Sequence, residues 1–103
     1  MIEGDRKMKG RKSGTEIDAA VQRYLLEDYR QRNVPKGIER TRLTIAELEK
    51  RTGLTRKTIA YQLKGEGVAI TLRFICKYAE AVGSTPDSFI RKMVQTLKNQ
   101  NEI

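Results

Sequence analysis

The chain has 103 residues, 38% of them hydrophobic, which suits one small domain and excludes two independent cores. Lys and Arg outnumber Asp and Glu by 21 to 13, a net charge of +8 that favours an anionic partner such as nucleic acid or an acidic membrane surface. Histidine is absent and Cys76 is the one cysteine, so a Cys/His zinc site within one chain, an intrachain disulfide and a histidine acid–base relay are excluded.

Residues 1–14 open the chain as a basic arm. The run "MIEGDRKMKGRKSG" carries Arg6, Lys7, Lys9, Arg11 and Lys12 with no sustained apolar period. Such an arm either stays solvated or tracks phosphates and enters a minor groove. It has no signal-peptide apolar region, and no apolar run approaches the roughly 20 residues of a membrane span. A soluble, cytoplasmic protein without a membrane partner is expected.

From Thr15 the pattern becomes helical. Ile17, Ala20, Val21, Tyr24, Leu25 and Tyr29 recur at steps of three and four, predicting a helix over about 16–32 with Thr15 as its N-cap. It stops before Val34-Pro35, because proline disfavours helical geometry in the residue before it. The segment "NVPKGIERTR" is then a long connector.

Thr44-Ile-Ala-Glu47 fits a reciprocal capping box opening a short helix that Gly53 breaks. Thr55 opens the next helix, to Lys64, with Gly65 as its stop. Thr71 starts "LRFICKYAEAV", with Leu72, Ile75, Cys76, Ala79 and Val82 as the expected apolar face, Cys76 as a buried structural thiol and Gly83 as terminator. Thr85 caps the last helix with Pro86 at its first position. Its stripe of Phe89, Ile90, Met93, Val94 and Leu97 either forms a dimer interface or closes the monomer's core. Five helices and no convincing strand predict an all-α domain over 15–98, with 99–103 as a C-terminal tail.

Two short helices around "TGLT" have the spacing of a helix-turn-helix. With Gly53 as ninth position, a twenty-residue unit spans Ile45 to Lys64 and places Leu48, Leu54 and Ile59 inside. Gly53 is expected to need a positive φ. The stretch "LTIAELEKRTGLTRKTIAYQLKGE", followed by "TLRFICKYAEAVGSTPDSFI", resembles the Cro and phage-repressor (XRE-like) family of DNA-binding domains over about residues 43–90. The resemblance implies a compact, lambda-repressor-like five-helix bundle that regulates transcription, as a small phage, prophage or bacterial repressor. Two positions depart from the family's pattern. Glu49 stands at the fifth position, where a small residue is usual, and Gln62 at the eighteenth, where an aliphatic one is.

Carried over residue by residue, the resemblance places Arg56, Lys57 and Tyr61 at base edges in the major groove, with Thr55 at the entrance. Arg56 is the leading base reader, its forked donors matching guanine's two acceptors. Tyr61 either contacts DNA or covers the core edge that Gln62 leaves thin. Thr44, Thr55, Lys64, Arg51 and Arg42 are the expected phosphate contacts, with Arg40 and the arm residues secondary. From Arg51 to Lys64 there are four basic residues and no acidic one.

Double-stranded DNA is therefore the expected partner, bound by a homodimer because one helix reads few base pairs, with no cofactor and no room for a separate effector domain. The alternative is an antitoxin-like module that uses the same fold to hold a protein. Single-stranded nucleic acid is disfavoured by only six aromatics, most on faces expected to be buried. No acid/base pair, metal set or phosphate loop points to an enzyme.

Overall fold

The computed structural model describes residues 14–33 and 43–103, except for the side chains of residues 14 and 15. The helices are α1 (Gly14–Arg32), α2 (Ile45–Thr52), α3 (Arg56–Lys64), α4 (Leu72–Ala81) and α5 (Pro86–Asn99). No strand occurs among the described residues, and the domain is an all-α five-helix bundle. The arm up to Ser13 and the connector from Val34 to Arg42 lie outside the described residues, and with them Arg6, Lys7, Lys9, Arg11, Lys12, Arg40 and Arg42.

Local signals place most helix ends. Thr44, Thr55, Thr71 and Thr85 are all extended and accept, through their hydroxyls, the backbone N–H three residues on. The expected reciprocal half of the box at Thr44 is not the bond formed, since the Glu47 carboxylate instead accepts from Arg51 Nε at 2.9 Å. Thr15 lies inside the first turn of α1 rather than before it, an offset within the one or two residues by which helix ends fray.

Gly53 has φ 76° and donates its N–H to Glu49 O, ending α2 as the left-handed stop that the turn requires. Gly65 ends α3 for a different reason. Its φ is −67°, and a Cβ there would sit 2.6 Å from both Tyr61 O and Val68 Cγ2. Space, not backbone handedness, calls for glycine at that position.

The core gathers Leu25, Leu48, Ile59, Leu63 and Tyr78, all fully buried, around which Ala20, Phe74, Ala79, Phe89, Met93 and Leu97 close. Helix α2 packs on α3 and α4, α1 on α3 and α5, and α4 on α5. Of the face expected for α1, Ile17 is exposed and the rest pack inward.

Helix α4 is rotated relative to the expected face. Leu72 is 64% exposed and Cys76 only half-buried, while Phe74, Ile75, Tyr78, Ala79 and Ala81 point inward. Two aromatic rings bury more apolar area than a leucine and a cysteine, and they decide which side turns in. Tyr78 sets its ring against Phe74 and, edge-on, against Phe89, with Phe89 edge-on to Tyr24 in turn.

The stripe on α5 is largely consumed in the same core. Phe89, Met93 and Leu97 are buried there, and Ile90 and Val94 are left half-buried. Beyond Asn99 the chain does not trail away. Glu102 N–H donates to Leu97 O at 2.8 Å, and its carboxylate meets Arg23 on α1 at 2.6 Å.

Gln62 is buried, as an aliphatic residue would be at that position, yet its amide is bonded at both its nitrogen and its oxygen. Nε2 donates to Ala69 O at 3.2 Å, and Oε1 accepts from Thr71 N–H at 3.1 Å. It thereby pins the link between α3 and α4 to the end of α3. Gln22 on α1 reinforces the pin by donating to Gln62 O and Gly65 O at 3.0 and 2.8 Å, and Asp18, one turn earlier, accepts from Ile70 N–H at 3.1 Å. Gln62→Leu is expected to lower stability by about 1–2 kcal/mol, because two backbone groups lose their partner. Urea unfolding measures it; a midpoint at or above that of the parent would show the amide to be dispensable.

Candidate nucleic-acid interface

Helices α2 and α3 are joined by Gly53, Leu54 and Thr55. The turn is held from within. The buried Thr52 hydroxyl donates to Leu48 O at 2.7 Å and accepts Leu54 N–H at 3.1 Å. Leu48 and Ile59 are fully buried across the angle between the helices, and Leu54 packs against the same cluster. Leu63 adds a further fully buried anchor from the last turn of α3.

That anchoring divides α3 into two sides. Ile59, Gln62 and Leu63 face the core, while Arg56, Lys57, Thr58, Tyr61 and Lys64 are exposed. Lys57, Tyr61 and Lys64 follow at helical steps of four and three and therefore share one outward row. The helix itself contains no carboxylate. Tyr61 is 57% exposed and does not cover the core edge, a task that Gln62 and Leu63 already perform. It is the single exposed ring among the six aromatics, so α3 offers no stacking platform of several rings.

The predicted site residues differ in what holds them. Lys57 and Lys64 stand exposed on α3. The Thr55 hydroxyl accepts Thr58 N–H at 3.1 Å and lies 2.9 Å from Thr58 Oγ1, so it is spent on capping. Thr44 caps α2 in the same way and is exposed. Arg51, among the expected phosphate contacts, is engaged within the bundle. Its Nε pairs with Glu47, and its Nη1 donates to Ala81 O at 2.8 Å, capping the C-terminal end of α4. A long side chain engaged through both Nε and Nη1 braces α2 against α4.

Arg56 also has a partner that sequence reasoning did not assign. The Glu49 carboxylate crosses the turn, accepts Arg56 N–H through Oε2 at 3.2 Å and sets Oε1 3.9 Å from Arg56 Nε. The signal was available, since Glu49 and Arg56 flank the turn, four residues before Gly53 and three after it. The polar row Asp18 and Gln22 on α1 was also missed, although its spacing of four residues places both on one face. Nothing in the local sequence says that this face meets the 65–71 link.

Among the described residues no group of three or more Cys, Asp or Glu side chains is arranged to hold a metal ion, and no helix is long and apolar enough to cross a membrane. No family model, curated protein or solved structure matches this chain.

Proposed function

We propose that the protein is a sequence-specific, double-stranded DNA-binding regulator of transcription, acting as a small repressor, with α2 and α3 as its helix-turn-helix and α3 as the helix that enters the major groove. The observation that carries this reading is the two-sidedness of α3. Three buried residues hold it in the bundle while Arg56, Lys57, Tyr61 and Lys64 stand outward without an acidic residue on the same helix. A row of exposed cations beside one amphipathic ring suits a groove that presents phosphates at its rims and base edges at its floor.

Two copies on a palindromic site are the natural stoichiometry, because one such helix spans only a few base pairs. Ile90 and Val94, half-buried, are what the α5 stripe retains for a second copy, since Phe89, Met93 and Leu97 belong to the core.

Selection of bound sites from random duplex DNA tests the reading. The expected outcome is an enriched motif with half-sites about one helical turn apart. Affinity for the enriched site should fall steeply with salt, as neutralised phosphates release their counterions. Recovery of unenriched sequence, with binding that scarcely responds to salt, would refute a role in reading DNA and favour a protein partner for the same fold.

A further inference from the structure

The Glu49 carboxylate stands at the start of the helix that carries Arg56 and divides its two oxygens between two tasks. Oε2 accepts the Arg56 backbone N–H at 3.2 Å, and Oε1 lies 3.9 Å from the Nε of the same residue. The Glu49 and Arg56 side chains are 43% and 66% exposed, so the pair sits at the surface. We infer that Glu49 is a positioning residue that sets the guanine preference of Arg56, an inference that rests on the DNA-reading function proposed above.

The geometry carries the step in three ways. An arginine this exposed samples many rotamers, and ordering it on a base costs conformational entropy. A carboxylate tethered to the helix backbone restrains the Nε edge of the guanidinium before DNA arrives. The Nε edge is the one that faces Glu49, and the two terminal amino groups are the pair of donors that matches O6 and N7 of guanine.

Stability gives Glu49 a modest reason to be there, since a carboxylate at a helix N-terminus is favoured by the helix dipole, but that role needs no contact with the Arg56 side chain. Thr55 already caps α3 through Thr58 N–H, and water would satisfy an exposed Arg56 N–H equally well. An exposed ion pair adds little to stability. A carboxylate beside the groove also repels phosphates, which weakens binding to every duplex alike. Glu49 thus exchanges affinity for discrimination.

The test measures binding of Glu49→Ala and Glu49→Gln to the selected site, to that site with the Arg56-dependent guanine replaced, and to random duplex. Glu49→Ala should bind random duplex about two- to threefold more tightly through lost repulsion, while its preference for guanine falls about five- to tenfold. Glu49→Gln, which keeps an acceptor but loses the charge, should fall between. In an Arg56→Ala background, Glu49→Ala should leave base preference unchanged. An undiminished guanine preference in Glu49→Ala overturns the inference while leaving the DNA-reading function intact. Failure of the unaltered protein to prefer any duplex overturns that function and this role together. A readout without DNA is the Arg56 Nε–H signal in the nitrogen-resolved NMR spectrum. It should shift toward a solvated arginine in Glu49→Ala, and a signal already there in the unaltered protein counts against the inference.

Discussion

Arg56→Ala is expected to bind the selected duplex about 10- to 100-fold more weakly while losing no more than about threefold on random DNA. The asymmetry follows from what each contact reads. A bidentate guanidinium on guanine contributes about 1–3 kcal/mol only where guanine is present, whereas its charge contributes everywhere. Lys64→Ala supplies the contrast. It removes an exposed point charge from the last turn of α3 and should weaken both duplexes by similar factors, with a shallower salt slope. Electrophoretic or fluorescence titrations on the two sequences separate the variants. Equal loss on both duplexes in Arg56→Ala would remove Arg56 as a base reader.

Tyr78→Ala should have the largest effect on the fold, about 3–5 kcal/mol. Its side chain is fully buried between Phe74 and Phe89, and no backbone shift of a small bundle refills a void of that size. The hydroxyl has a separate role. It donates to Asp28 Oδ2 at 2.7 Å, and Arg32 Nε donates to the same oxygen at 2.7 Å. Tyr78→Phe keeps the packing and should cost about 1–2 kcal/mol, because the carboxylate loses a short, charge-assisted bond.

Burial, reinforced by the Asp28 carboxylate, pushes the Tyr78 phenol far above its ordinary value. The sign of the pH dependence follows directly. The folded state holds this proton more tightly than the unfolded chain, so its contribution is complete below about pH 10 and is lost as the pH rises beyond it. Tyr24, raised chiefly by partial burial, acts in the same direction. Thermal unfolding across pH 8–11 should therefore show an alkaline decline that is smaller in Tyr78→Phe. An identical decline in both proteins would assign it to other groups.

The parts of this protein that were legible in its sequence are those whose causes are local. Four threonines cap four helices because the hydroxyl and the N–H it accepts are three residues apart on one chain. Pro86 at the first position of α5 and Gly53 at φ 76° belong to the same class. The division of α3 into buried and exposed residues was largely legible too, because Ile59 and Leu63 are spaced for one face.

The rest required partners distant in sequence. The rotation of α4 depended on which neighbours could accept the Phe74 and Tyr78 rings, and Phe89 comes from another helix. Gln62 looked misplaced because periodicity sees one helix, while the groups it satisfies lie seven and nine residues ahead on the link. The sequence offered Arg51 for a phosphate and Arg56 for a base without a partner within the chain for either, yet one is braced against Ala81 O and the other faces Glu49. By itself, then, the sequence determined where most helices begin and end and that α3 carries basic residues with no acidic one on the same helix, since caps, turns and periodicity act within a few residues. Only the tertiary structure decided which of those charges are engaged, which apolar side chains close the core, and how a buried glutamine is satisfied, because each depends on a group that folding brings from elsewhere in the chain.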